Sequence, residues 1–330
     1  MQNTELKKKA TTSRFKAIMG SDEVNALIPL LVMMVVVYLI NKNFLTGPNL
    51  ISMANLAPFV AICCLGNALV IMTGSSDVSV GKTSGLACVM FAWAIKICGL
   101  PSWAAVIIGI ATGAFCGWLN GTIIFDFNLP HFIVTLGMSY VIGAMRFLVV
   151  NAYPFTDLGK DLEAFAAFKI GPFHMWFYIC IILYIVVAIL LAKTTIGRQI
   201  KAVGDNPEVA SLSGINVNKV KKIAYILCGL IVAVAGVLTA IRYDYGNPYT
   251  GNGWEFKCMA ACAIGGVSLT GGRGSGICIF IGVLTMVILD NAIVMAGIST
   301  YLQTTAIGAF LMIAASLDMI RQRKKIKAEA

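Results

Sequence analysis

Charge is what this sequence has least of. Only 12% of its 330 residues are charged, acidic residues number 15, and histidine occurs twice. Soluble domains carry about 25% charged residues, so this deficit excludes an ordinary water-facing surface. His131 and His174 stand alone, and no Ser-His-Asp set, zinc motif or pair of catalytic carboxylates is present. No G-x-x-x-x-G-K-S/T run occurs, which excludes nucleotide hydrolysis by a P-loop. The sequence therefore reads as a non-enzyme with no cofactor or metal of its own. Lys7-Lys8-Lys9 precedes the first apolar block, but no small-residue cleavage site follows, so no cleaved signal peptide is expected.

Apolar residues fill the space that charge leaves. They make up 58% of the chain, and the mean hydropathy is +0.85. A net charge of +10 would suggest nucleic acid in a soluble protein. Here the basic residues sit at the ends of apolar blocks, the pattern of membrane orientation signals, so the expected partner is a lipid bilayer and not a nucleic acid. Most of the ten cysteines lie inside apolar runs, where they pack as small, soft hydrophobes. Cys258 and Cys262 are spaced i, i+4, but no second Cys or His pair stands near enough in sequence to complete a metal site.

Blocks long enough to cross ~30 Å of hydrocarbon recur at 26–45, 50–73, 79–98, 102–125, 131–150, 172–192, 223–242, 276–297 and 301–320. A shorter, glycine-rich block lies at 256–270. Lys7, Lys8, Lys9, Arg14 and Lys16 at one end, and Arg321, Arg323, Lys324, Lys325 and Lys327 at the other, place both termini in the cytoplasm. That requires an even number of crossings, so the short block is expected to cross as well. The expected fold class is an all-α integral membrane protein of about ten transmembrane helices, some broken or short. It comprises a cytoplasmic N-terminal segment at 1–25, one transmembrane domain at 26–320 and a basic cytoplasmic tail at 321–330. The same orientation puts Lys82 and Arg273 inside, and Lys42, Lys96, Lys160, Lys169, Arg242 and Lys257 outside.

Between the sixth and seventh blocks, residues 193–222 are polar and basic. Asn206 can cap a helix, Pro207 suits its first position, and Gly214 supplies a left-handed stop after Glu208 to Ser213. A short helix presented in the cytoplasm implies something that docks on it. Two other segments are irregular: Thr73 to Gly81, and Gly265 to Gly276. Non-helical backbone at membrane depth is tolerated only where protein or a water-filled cavity satisfies it, and such breaks point to a transport pathway. The competing reading is that these glycines only let helices approach closely. Asp77, Asn67, Asn120, Asp290 and Asn291 are the polar groups in or beside spans that qualify as pathway candidates. Asp290 reads either as an ion-coupling site of a secondary transporter or as a hydrogen-bonding group facing a polar solute or a neighbouring helix. Arg146 reads as a side chain snorkelling outward.

The run IGRQIKAVGDNPEVASLSGINVNKVKKIAYILCGLIVAVAGVL resembles the cytoplasmic coupling segment of the permease subunits of bacterial ABC importers, in particular the ribose-type monosaccharide branch. SSDVSVG resembles that branch's I-D-L-S-V-G block, GWLNGTII its G-x-x-N-G block, and GNGWEFKCMAACAIGGVSLTGGRGSG its late glycine-rich block. Branched-chain amino-acid permeases share a related coupling segment, and a nucleoside permease is a further alternative within the same reading. The resemblance implies a dimeric permease in a bacterial plasma membrane, built as a homodimer or with a similar chain. It further implies a cytoplasmic ATP-binding subunit that uses the ATP and an extracytoplasmic solute-binding protein. Gly204, Asn206, Pro207, Glu208, Ala210, Gly214 and Ile215 would form the ATPase-coupling surface. The sequence departs from the family pattern at Gly74-Ser75-Ser76 before Asp77, at Asp290-Asn291 in place of a neutral Asn pair, and at Gly143, with the arginine moved to Arg146. These departures leave open a monosaccharide other than ribose, a polyol or a sugar-like signal.

Overall fold

The computed structural model describes residues 22–297 except 152, together with 299, 302, 305, 308, 309, 312 and 316. Residues 1–21, most of the span expected at 301–320 and the tail at 321–330 lie outside the described residues. Twelve α-helices, one 3-10 helix (Lys42–Leu45) and four two-residue strands follow one another among the described residues. They are α1 (Asp22–Ile40), α2 (Gly47–Ile71), α3 (Val80–Lys96), α4 (Ser102–Asp126), α5 (His131–Val150), β1 (Phe155–Thr156), α6 (Lys160–Ala167), β2 (Lys169–Ile170) and β3 (Phe173–His174). Then come α7 (Met175–Lys193), α8 (Thr195–Asp205), α9 (Pro207–Leu212), α10 (Val217–Tyr243), β4 (Tyr245–Gly246), α11 (Trp254–Ile264) and α12 (Gly276–Met295).

Six of these helices, α2, α4, α5, α7, α10 and α12, are long and apolar enough to cross a membrane. The molecule is an all-α membrane protein. Two helices form its axis: 72% of the spanning window is buried in α2 and in α10, against 28% in α4, α5 and α7, whose remaining faces are left for lipid. Small residues explain the close packing around the axis. Gly113 and Gly117 of α4 lie against Gly229 and Tyr225 of α10, and a Cβ at either glycine of α4 would overlap a backbone carbonyl of α10. Without water to drive helices together, such backbone proximity is the main source of packing energy in a bilayer.

The first expected span, at 26–45, is met by α1, whose apolar part Ala26–Ile40 falls short of the six spanning helices, and two further expected spans differ from what the structure contains. The block at 256–270 is not one helix: α11 has 11 residues and is followed by a chain of turns. At 1.5 Å per residue it covers about half of the ~30 Å hydrocarbon core. The other is α3, whose 17 residues are largely buried, polar Thr83 and Ser84 among them. Both short helices follow irregular backbone, and each break is packed inside protein, as the absence of competing water requires. The segment after α2 runs inward beside α10, where the Tyr225 hydroxyl donates to the Ser76 carbonyl (2.8 Å). On the opposite side, the chain after α10 pairs through β4 with β1, Phe155 facing Gly246. It then descends until Gly251 meets Gly81 backbone to backbone.

Candidate functional site

Locally encoded geometry builds the polar segment at 193–222. The Thr194 hydroxyl caps α8 by accepting from Gly197 N (3.1 Å). Helix α8 is amphipathic and buries Gly197, Ile200 and Val203. The sequence reading had anticipated only the shorter helix that follows. There Asn206 accepts from Glu208 N (3.0 Å) and Val209 N (3.1 Å), Pro207 occupies the first turn, and Gly214 takes φ +82. Ile215 N donates back to the Ala210 carbonyl (3.1 Å), closing the stop, and Ala210 is the one buried residue of α9. The outward face carries Val209 and Leu212, 57% and 89% exposed. These two apolar side chains stand open on a helix anchored by two caps.

Beneath this module the two irregular segments meet. Gly272 N donates to the Met72 carbonyl at the end of α2 (3.0 Å). A Cβ at Gly204 of α8 would overlap both that carbonyl oxygen and Gly272 N. A Cβ at Gly271 would lie 2.6 Å from Gly74 N, and one at Gly272 would lie 2.7 Å from Asp205 Cα. Gly74, Gly271 and Gly272 also hold positive φ, which L side chains rarely adopt. Three chain segments thus cross at backbone distance, with no side chain between them.

The pathway candidates fall into two groups. Asp290 and Asn291 of α12 line a cleft of ≈ 400 Å³, open to one side, whose other wall is the Asn49, Ser52, Leu56 and Cys64 face of α2. Asn49 and Asn291 pair their amides reciprocally (3.1 and 2.9 Å) at its polar end. Asp290 accepts from Lys257 of α11 (2.7 Å), so its carboxylate already has a cation beside it. Asp77, Asn67 and Asn120 lie away from this cleft. Asp77 is buried between α3 and α4, accepting from Ser79 N (2.8 Å) and Ser79 Oγ (2.6 Å), with Asn120 donating to Ser79 Oγ (2.9 Å). Asn67 is fully buried, and neither of its side-chain polar atoms has a hydrogen-bond partner among the described residues.

Arg146 corrects the sequence reading. Rather than snorkelling, it is 2% exposed and reaches into the protein, where Nη1 donates to the Thr250 carbonyl (2.7 Å) and Nη2 to Asn252 Oδ1 (3.0 Å). Lys82 donates to the same Asn252 oxygen (2.7 Å) and lies 3.9 Å from Glu255, which is also buried. Lys82 is therefore tied into a partly buried network and is not a free charge. The network pins the descending 250–255 segment to α3 and α5, and Gly85 leaves the room that the guanidinium occupies. Sequence reasoning missed Glu255 and Asn252. The usable signal was an acid at 255 beside an apolar block, since ionisable groups at membrane depth are rare and paired.

Comparison with known proteins accounts for this arrangement. Residues 49–315 match the family described as the branched-chain amino acid transport system, permease component. The ribose import permease of Escherichia coli K12 is 33% identical over 306 residues, 91% of this chain and 94% of that protein. The ribose import permease of Bacillus subtilis is 30% identical over 321 residues (96% and 98%). The galactose/methyl galactoside import permease of E. coli K12 is 30% identical over 314 residues (90% and 94%). No solved structure matches the chain. The chain belongs to this family of ABC-type permease components and is a multi-pass transport subunit of the bacterial inner membrane.

Proposed function

We propose that this chain forms the translocation pathway of an ATP-binding-cassette importer for a monosaccharide-like solute, powered by a separate cytoplasmic ATPase. The observation that carries the reading is α9: a capped, six-residue helix with Val209 and Leu212 exposed, standing on a backbone junction with both broken segments. A short rigid helix passes ATPase closure on as a rigid-body displacement. Gly204, Asn206, Pro207, Glu208, Ala210, Gly214 and Ile215 give that helix its contacts and shape, and no step of the chemistry is theirs. The transmembrane domain has ten crossings with both termini cytoplasmic, two permease chains pair around the pathway, and a solute-binding protein delivers from outside. The cleft between α2 and α12, with the Asn49–Asn291 amides and Ser52 at its polar end, supplies one wall of the route. Amide and hydroxyl groups suit a neutral polyhydroxylated solute. The Lys257–Asp290 ion pair weighs against Asp290 as an ion-coupling site.

Purification of the tagged chain in mild detergent tests this. The expected result is a stoichiometric partner with a Walker motif, together with ATP-dependent uptake of labelled ribose, galactose or fructose. An active chain with no ATPase overturns the reading, and uptake of leucine in preference to any sugar overturns its substrate class.

A further inference from the structure

The two helices that wall the cleft end at the same place. Helix α2 runs from its cleft-lining residues Asn49 to Cys64 down to Met72, whose carbonyl holds Gly272 N (3.0 Å). Helix α12 begins at Gly276, directly after the Gly271–Gly274 turns, capped by Ser275 accepting from Cys278 N (3.2 Å). Helix α11 is clamped on α12 as well. A Cβ at Gly265 would overlap the Cys278 carbonyl, and one at Gly282 the Ala261 carbonyl. At its far end α11 pairs Lys257 with Asp290 on the cleft rim (2.7 Å). Each wall is thus continuous with the junction under Gly204, and α8 sits on both.

From this connectivity we infer that the Gly204–Met72–Gly272 junction is the fulcrum that sets the width of the α2–α12 cleft. The inference rests on the ABC-importer reading and adds to it the residues through which the coupling helix acts. Backbone contact without intervening side chains leaves no slack, so α8, residues 72–74 and residues 271–273 move as one body. Displacing that body swings the two cleft walls, because their inner ends are held backbone to backbone while their outer ends meet through side chains, the Asn49–Asn291 pair among them, which can separate. Cys64 reports the result: it faces the cleft yet is fully buried, so a small alkylating reagent reaches it only when the walls part.

The experiment alkylates the chain in complex with its ATPase with N-ethylmaleimide, nucleotide-free and trapped with ATP and vanadate. Site-resolved mass spectrometry follows Cys64, with Cys228, buried and away from the cleft, as the reference. The expected result is a Cys64 rate that changes about tenfold between the two states, within the usual range of coupling between sites. Gly271→Ala, which wedges the junction from outside the coupling surface, makes the two rates equal while the ATPase still co-purifies. A Cys64 rate indifferent to nucleotide, a variant that responds like the wild type, or a variant that sheds the ATPase overturns the inference. Spin labels at the exposed Ala202 and Arg273 decide the matter in the unwedged chain should Gly271→Ala fail to insert. Their separation stays the same in both states if the junction is one body, and a changed separation overturns it. Failure to recover any ATPase with the wild-type chain would instead overturn the proposed function.

Discussion

The α8–α9 module and the Lys82–Arg146–Asn252–Glu255 network hold polar groups in place by opposite means. The module is local. Thr194, Asn206, Pro207 and Gly214 each act within a few residues of themselves, and water is available to whatever they leave unpaired. The network is assembled from α3, α5 and the 250–255 segment, with partners 104, 106 and 170 positions apart, and it runs from the exposed Asn252 to the buried Arg146 and Glu255. Local devices tolerate replacement at the cost of one cap. A long-range network couples its members, since Arg146 and Lys82 share one Asn252 oxygen and losing either alters the other's surroundings.

The contrast breaks most readily at Arg146. Arg146→Met keeps the length of the stem and removes both hydrogen bonds to Thr250 and Asn252. Bonds to a charged group are worth about 1.5–3 kcal/mol each, so the loss is about 3 kcal/mol or more. The expected outcome is a chain with lowered thermal stability and poor recovery from membranes, measured by a fluorescence-detected size-exclusion melt. A melt unchanged from the wild type would show that the 250–255 segment is held by other means.

The same contrast explains what was legible from residues alone. Local chemistry writes itself into short sequence windows, so the Asn206 cap, Pro207 and the Gly214 stop were all readable before any fold was known. So was the irregular character of 73–81 and 265–276, because glycine and serine runs interrupt apolar periodicity there. The Arg146 network was not readable. Its meaning depends on the chain after α10 turning back into the protein, and nothing near Arg146 in sequence says that Thr250 will lie beneath it. Helix α8 escaped for a different reason: its apolar positions, Ile200 and Val203, are few and sit among basic residues, so the stretch looked like solvated loop. The meeting of Met72, Gly204 and Gly272 is likewise invisible, since each glycine alone reads as a turn.

A smaller effect is expected at Gly214. Its φ of +82 admits no Cβ without strain, although no neighbouring atom lies within 4 Å of where one would stand. Gly214→Val therefore acts through backbone conformation alone, at a cost of about 1–2 kcal/mol. The chain should insert normally, lose its ATPase during purification and transport about tenfold more slowly, since 1.4 kcal/mol corresponds to a factor of ten. Normal transport by a well-expressed Gly214→Val chain would remove the coupling role from α9 and leave the two regions functionally alike.

The smallest effect is expected at Asp290, where the two kinds of region meet: a charge pair, yet one at the open rim of a cleft. The side chains of Lys257 and Asp290 are 16% and 28% exposed, so the pair is partly hydrated and is worth about 1 kcal/mol or less. Asp290→Asn keeps the shape and a hydrogen-bond acceptor for the Lys257 ammonium, and α11 stays on α12 through the glycine contacts at 265 and 282. Uptake should keep its dependence on ATP, with KM for the solute altered several-fold at most and kcat nearly unchanged. An ion-coupled mechanism predicts the opposite: collapse of uptake in Asp290→Asn, with whatever remains no longer sensitive to pH. Because one mechanism requires ATP and the other does not, one uptake assay with and without ATP in proteoliposomes separates them.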